Sequence, residues 1–254
     1  CTTVADAIAR WMADMVRAAG ARGVAVGLSG GVDSAVVLAL AQRGPGENAV
    51  GVIMPCESAE ADMEDARLVA GTFGARTETV VLDRLYRDLL QSLPPGGTDL
   101  ARANLKPRLR MATLYYVANS RNFLVAGTGN RSEIAVGYFT KHGDGGSDML
   151  PIGGLLKREV RALAGELGVP QRVIEKAPSA GLWPGQTDED ELKMSYEALD
   201  EIVHALQTGR RPQADEHEVE RVTSLMKSAE HKRSLPPVCP VGRGGAAQSE
   251  GESS

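Results

Sequence analysis

Residues 29 to 34, Ser-Gly-Gly-Val-Asp-Ser, place two glycines, two hydroxyls and a carboxylate within six positions. Gly30 and Gly31 permit a tight turn that points backbone N–H groups at one spot, and Ser29 and Ser34 add two donors beside Val32. A turn of this kind opening a helix is a seat for an anion, because the helix N-terminus carries roughly half a positive charge. Asp33 would repel that anion unless a divalent cation lay between them. The loop therefore implies a phosphate group with magnesium.

Other readings of the loop compete. The spacing is too short for a Walker A loop, and no Lys-Ser or Lys-Thr pair closes it. Gly27, Ser29 and Gly31 do satisfy the G-x-S-x-G pattern of serine hydrolases. A glycine turn that only packs a helix on a strand is the plainest alternative. A hydrolase elbow has no use for Asp33 and Ser34, and a plain turn has none for two hydroxyls and an acid, so the nucleotide reading is preferred. A second constellation is Gly127-Thr128-Gly129-Asn130-Arg131-Ser132-Glu133, which lacks the third glycine of a dinucleotide fingerprint. Thr128 offers the nucleotide a hydroxyl. Glu133 is either a second carboxylate for the magnesium or only a cap on the following helix, and the residues alone leave these two readings level.

The elements around these loops alternate. Ile8, Trp11, Met12, Met15 and Val16 share one face of a helix over 5–19, ahead of a strand at Val24 to Leu28 and an apolar helix from Ala35. Strands follow at 49–55, 77–82 and 123–126, with helices at 58–73 and around Leu105 to Ala118 between them. Later helices are expected at 156–167, 188–206 and 215–226, with Asp188 and Glu191 as a capping box. The pattern predicts an α/β fold, a doubly wound parallel sheet with helices on both faces, in which loops 29–34 and 127–133 leave the carboxyl ends of strands and face one ligand. Glycine-rich stretches at 141–154 and 178–187 read as mobile active-site loops, and the segment from Pro236 as a disordered tail, leaving one domain over 1–235.

Composition bounds the function. The 254 residues are 43% apolar and carry a net charge of −5, enough for a full core and unlike a basic nucleic-acid scaffold. No run approaches membrane-spanning length. Cys1, Cys56 and Cys239 form no C-x-x-C pair, so neither zinc nor a disulfide framework is indicated and a cytoplasmic location fits. Cys1 receives no role.

The hexapeptide resembles the signature of the ATP pyrophosphatases, adenylate-forming enzymes that release AMP and include synthetases for GMP, argininosuccinate, asparagine and NAD, and tRNA-modifying enzymes. Within that family, Gly127 to Glu133 followed by Gly137 to Asp148 is similar to the diagnostic stretch of NAD synthetases. Asn104 to Met111, Leu156-Lys157-Arg158, Pro178 to Trp183 with Gln186 to Glu189, and Glu230 to Arg233 agree in order, over about residues 5 to 237. The resemblance implies a Rossmann-like fold of the adenine nucleotide alpha hydrolase type. It assigns ATP to Ser29, Gly30, Gly31, Val32, Asp33, Ser34, Met54, Thr128, Lys157 and Ser179, and magnesium to Asp33 and Glu133. Deamido-NAD falls to Lys106, Arg108, Arg110, Lys141, Asp148, His231 and Lys232, and catalysis to Lys157 with Asp144 and Asp148 near the ammonia. Lys106, Arg108 and Arg110 also suit a solvated helix face, but a basic cluster in an acidic protein acting on a dinucleotide reads better as substrate-binding. Ser179 stands where some members have Thr, and the chain diverges after Arg233.

The reaction implied is ATP-dependent amidation of deamido-NAD to NAD through an acyl-adenylate, with AMP and pyrophosphate released. Only one helix precedes the synthetase-like region, so free ammonia is the expected nitrogen donor unless a separate glutaminase subunit supplies it. The resemblance also implies a homodimer; neither a nucleic-acid nor a membrane partner is expected. Another ATP pyrophosphatase is the first alternative, and a serine hydrolase using Ser29 the next.

Overall fold

The computed structural model describes residues 2–183 and 185–239. The chain runs α1 (Val4–Ala18), β1 (Gly23–Gly27), α2 (Val32–Arg43), β2 (Ala49–Ile53), α3 (Glu60–Thr72), β3 (Arg76–Thr79), α4 (Asp83–Ser92), α5 (Asp99–Ala103), α6 (Leu105–Asn119) and β4 (Phe123–Ala126). It continues through α7 (Arg131–Val136), α8 (Lys157–Leu167), α9 (Gln171–Glu175), α10 (Asp188–Leu192), α11 (Tyr196–Gln207), α12 (Glu216–Ser228) and α13 (Glu230–Arg233).

The sheet is parallel, in the order β3-β2-β1-β4. Alternate residues of a strand face opposite sides, and β1 shows the result. Val24 and Val26 join a core with α1, α2, α3 and α8, whereas Ala25 joins one with Tyr86 of α4 and Leu114 and Val117 of α6. With both faces covered, β1 and β2 read as apolar runs rather than alternating ones. α2 lies within the first core and buries Ser34 to Ala41 without a break. A third cluster, with Leu156, Tyr196, Leu199 and Val222, joins α7 and α8 to α11 and α12. The chain steps from β1 outward to β2 and β3, then returns to place β4 on the other side of β1. This reversal puts the loops after β1 and β4 side by side, where open α/β sheets bind ligands.

Several expectations need correction. Ala5, Ala9, Met12 and Val16 form the buried stripe of α1, and Trp11 turns outward at 40% exposure. β3 ends at Thr79, because Leu82 buries itself ahead of α4, a helix the sequence reading did not place. The helix expected over 188–206 is two helices, broken where Lys193 takes φ +58° and Ser195 caps α11 through the Ala198 N–H. Thr187 with Asp190 caps α10 in place of Asp188 with Glu191. Asp188 is instead buried.

The stretch 141–154 is also tied down more firmly than a mobile loop. The carbonyl of Thr140 accepts the N–H groups of Gly143 and Gly145, and Asp148 and Gly127 pair with the backbone of Val125 and Met149. Residues 240–254 of the expected tail, and Cys1, lie outside the described residues.

Candidate nucleotide and metal site

The loop after β1 closes on itself. Ser34 Oγ accepts the Ser29 N–H at 3.2 Å and donates to the Gly31 carbonyl at 2.9 Å, while Ser29 Oγ lies 3.1 Å from Ser34 Oγ. Gly30 adopts φ +82°, and a Cβ there would sit 2.3 Å from the Asp62 carbonyl oxygen of α3. Only glycine meets both demands. α3 is braced from α9 side by Lys176, 2.6 Å from Asp62 and 2.7 Å from Asp65, and by Arg172, 2.8 Å from Asp65. Gly31 is the N-cap of α2, and among the described residues no side chain caps it, so the first N–H groups of α2 open into the loop.

Asp33, Glu133 and Lys157 converge beside this loop. The buried Lys157 Nζ lies 2.5 Å from Asp33 Oδ2 and 3.1 Å from Glu133 Oε1. Glu133 is the cap that the sequence offered as one of its two readings, and its second oxygen is left for a cation. Its Oε2 accepts the Asn130 N–H in the capping box of α7, and its Oε1 meets the ammonium. Asn130 was not singled out by sequence, yet its Nδ2 donates to Asp33 Oδ1 at 3.0 Å and ties the two loops together. Tyr196 and Asp188 were also missed. The Tyr196 hydroxyl lies 2.9 Å from Asp188 Oδ2 and 3.3 Å from Glu133 Oε1, with its ring 4.8 Å from Nζ.

Three carboxylates thus crowd one cation. Burial pushes the Glu133 carboxyl up to about 7, against the pull of Lys157, and burial likewise raises Asp188. Burial alone would lower Lys157, but Asp33 and Glu133 outweigh it and hold the ammonium protonated. Asp188 Oδ1 is buried without a hydrogen-bond partner. This excess of hard oxygen donors fits magnesium. Among the described residues no group of three or more His, Cys, Asp or Glu has metal-ligand spacing, so protein alone would not complete the shell. Asp33 and Glu133 would hold the ion with phosphate oxygens, the usual mode for magnesium at a nucleotide.

The remaining predicted residues fall into neighbouring groups. Met54, at the end of β2, is buried, and its methyl would lie 3.4 Å from a Cβ on Gly27. Arg110 donates to the Met54 carbonyl and to Ser58 Oγ, both at 3.1 Å, and burial lowers its pKa. Lys106 is no solvated face: it is 6% exposed, with Nζ 3.0 Å from the Leu182 carbonyl and 3.1 Å from Glu57. It ties α6 to the 178–187 loop. Ser179 in that loop is exposed, and its Oγ accepts the Gly181 N–H.

A third group surrounds residues 137–144. Lys232 donates to the carbonyls of Gly137 and Phe139 at 2.8 Å, Lys141 to that of His231, and Arg108 to that of Lys141. Asp144 Oδ1 accepts the Thr140 N–H at 2.9 Å, and the atoms packed about its carboxyl raise its pKa although the residue keeps exposed surface. Asp148 uses both oxygens, one for the Val125 N–H at 2.7 Å and one for the Tyr115 hydroxyl at 3.0 Å. Thr128 lies two residues beyond β4. Among the described residues no histidine hydrogen-bonds Ser29, whose hydroxyl partner is Ser34. The hydrolase reading therefore lacks its base.

The reversing parallel sheet, the glycine loop and its paired acids define an α/β protein of the adenine nucleotide alpha hydrolase type. The NAD synthase family model matches residues 4–236, and the chain belongs to that family. It is 48% identical to the NH(3)-dependent NAD(+) synthetase of Carboxydothermus hydrogenoformans, over 92% of this chain and 95% of the relative. Among solved structures, the NMN synthetase of Francisella tularensis superposes with TM-score 0.87 at 35% identity, covering 93% of this chain and 97% of the other. The NH3-dependent NAD synthetase of Campylobacter jejuni superposes with TM-score 0.81 at 27% identity over the same shares.

Proposed function

We propose that the protein is an ammonia-using NAD synthetase, a ligase that amidates deamido-NAD at the expense of ATP and releases AMP and pyrophosphate. The observation that carries this reading is the meeting of Asp33, Glu133 and Lys157 at the glycine loop, within a family match that spans nearly the whole chain. A carboxylate is a poor acyl donor because it has no good leaving group. The nicotinate carboxylate oxygen therefore attacks the α-phosphorus of ATP, the bond to the bridging oxygen breaks, and pyrophosphate leaves. Ammonia then attacks the acyl carbon, AMP departs, and the nitrogen sheds a proton to give the amide.

The chain's part is placement and charge neutralisation. The N–H groups of the loop and the Lys157 ammonium bind phosphate oxygens and offset charge that grows on them in the transition state. Asp33 and Glu133 would hold magnesium, which when bound would supply further neutralisation of that charge. Asp144 suits the proton acceptor for ammonium, having a raised pKa and one oxygen outside the Thr140 bond, whereas both oxygens of Asp148 are engaged. Lys106, Arg108, Arg110, Lys141, Asp148, His231 and Lys232 are the residues that the family resemblance assigns to deamido-NAD.

A homodimer is supported by large apolar side chains left exposed on neighbouring helices. Leu85 and Leu93, on and just after α4, are 51% and 43% exposed, and Tyr116 on α6 is 75% exposed. Where such side chains gather into one patch they mark a protein contact. Sedimentation should show a dimer at micromolar concentration that dissociates when Leu85→Glu and Tyr116→Glu are combined; a monomeric parent contradicts this. Among the described residues no helix is long and apolar enough to cross a membrane.

The likeness to an NMN synthetase favours one second reading, amidation of nicotinate mononucleotide. The test gives the protein ATP, magnesium and either acceptor, with ammonium or glutamine, and follows the amide product and AMP. NAD and AMP formed together with ammonium and not with glutamine are expected. A higher kcat/KM on the mononucleotide would move the assignment to the second reading, and AMP without either amide would end both.

A further inference from the structure

We propose that Asp200, on α11, is the positioning residue that holds Lys157 and Glu133 in register for the phosphates of ATP. Its carboxylate is fully buried. One oxygen accepts the Ser132 hydroxyl and, at 3.3 Å, the N–H of Lys157; the other accepts the N–H of Arg158 at 2.8 Å. Lys157 and Arg158 open α8, whose N-cap is Leu156, a side chain with no oxygen to offer. Glu159 reaches back only to the Leu156 N–H, at 2.7 Å. The cap that α8 lacks in its own sequence is thus supplied by α11.

The same carboxylate grips the helix that carries Glu133. Ser132 is the residue before Glu133, in the first turn of α7, and is itself buried. Its hydroxyl also accepts the Lys157 N–H at 3.1 Å, so Ser132, Lys157 and Asp200 form a closed set. Among the described residues Asp200 has no Lys or Arg side chain in salt-bridge range; the positive end of α8 faces its charge. One turn earlier on the same face of α11, Tyr196 reaches Glu133 and Asp188. Helix α11 therefore supports the ammonium from behind through Asp200 and the metal acid from the side through Tyr196. With both oxygens occupied and no exposed surface, Asp200 acts through its neighbours and touches no ligand.

The inference rests on the assignment of Lys157 and Glu133 to ATP and its metal. Asp200→Asn keeps the shape but turns one acceptor into a donor, facing either Ser132 and Lys157 or Arg158. The KM for ATP, and the affinity for Mn2+ read by electron paramagnetic resonance with a non-hydrolysable ATP analogue, should each weaken about 10- to 100-fold, the range for supports of metal and phosphate ligands. Ser132→Ala, which removes one bond, should shift both in the same direction by about 3- to 10-fold, and it carries the test if Asp200→Asn does not fold. Val222→Ala opens a cavity in the same core at a side chain that makes no hydrogen bond to the site, and should lower Tm while leaving both values unchanged. Parental ATP KM and Mn2+ affinity in folded Asp200→Asn or Ser132→Ala would overturn the proposal. So would Val222→Ala reproducing their shifts. Parental ATP KM in Lys157→Ala would remove the premise and the proposal with it.

Discussion

Lys157→Ala should lower kcat/KM for ATP by about 10²- to 10³-fold or more, the scale on which a single preorganised transition-state donor contributes. The ammonium is held by Asp33 at 2.5 Å and Glu133 at 3.1 Å, so it is fixed before any phosphate arrives. Removing it also leaves two partly buried carboxylates facing each other without their cation. Loss of one partner from a buried ion pair costs about 3–5 kcal/mol, although Glu133, already raised by burial, can relieve part of this by taking a proton. Circular dichroism and a melt must therefore accompany the kinetics. A folded variant with parental kcat/KM would show that Lys157 serves the fold and not the phosphates. Lys157→Arg should fail almost as badly, because the branched guanidinium cannot occupy the position between Asp33 and Glu133 that a single nitrogen fills.

Gly30→Ala should impair both stability and nucleotide binding. The φ of +82° alone penalises any L side chain by about 1–2 kcal/mol, or about 2–8 °C in Tm for a domain of this size. The added methyl would then meet the Asp62 carbonyl oxygen at 2.3 Å, and that oxygen belongs to backbone braced by Lys176 and Arg172. The loop has to move instead, and a shift of about 1 Å at the phosphates is expected to weaken ATP turnover on the order of 10²-fold. Differential scanning calorimetry with and without magnesium and ATP separates the two effects. The variant should melt lower and gain less from nucleotide. A parental melting point, with a parental gain, would mean that the loop tolerates a side chain and that its glycine is not required by geometry.

The parts of this site that were legible in the sequence are those whose chemistry and backbone geometry sit within a few residues. Ser29 to Ser34 is such a case, because the glycine turn, the helix start and the acid are contiguous. Glu133 was legible as either a metal carboxylate or a cap; the cap is present on one oxygen, and the other meets the Lys157 ammonium. Asn130, Asp188, Tyr196 and Asp200 were not legible. Each reaches the site through tertiary contact, from 8 to 97 residues away along the chain in the bonds that matter. Asp188 was even assigned to a cap, since Thr187 with Asp190 and Asp188 with Glu191 both satisfy the same spacing. Only the fold shows that Thr187 caps and that Asp188 turns inward.

The fold followed the same division. The buried strands β1 and β2 and the helix after the loop announce themselves by uninterrupted apolar runs. Edge strand β3 carries Arg76 and Glu78 and ends early, as a strand with one open side tolerates. The break between α10 and α11 depends on a lysine in the left-handed region, a conformation no local rule assigns to it. Lys106 shows what a charge run leaves undecided: in sequence it also suits a solvated face, and in the structure it is buried and fastens the 178–187 loop through Leu182.

The central claim is that the glycine loop, Asp33, Glu133 and Lys157 form one site that cleaves ATP at the α-phosphorus. Exchange of labelled pyrophosphate into ATP, with deamido-NAD present and ammonia withheld, tests it most directly, since the exchange reports reversible adenylation alone. Exchange in the parent should need deamido-NAD and magnesium and should be lost in folded Lys157→Ala. Exchange at the parental rate in that variant, or exchange in the parent without deamido-NAD, would contradict it.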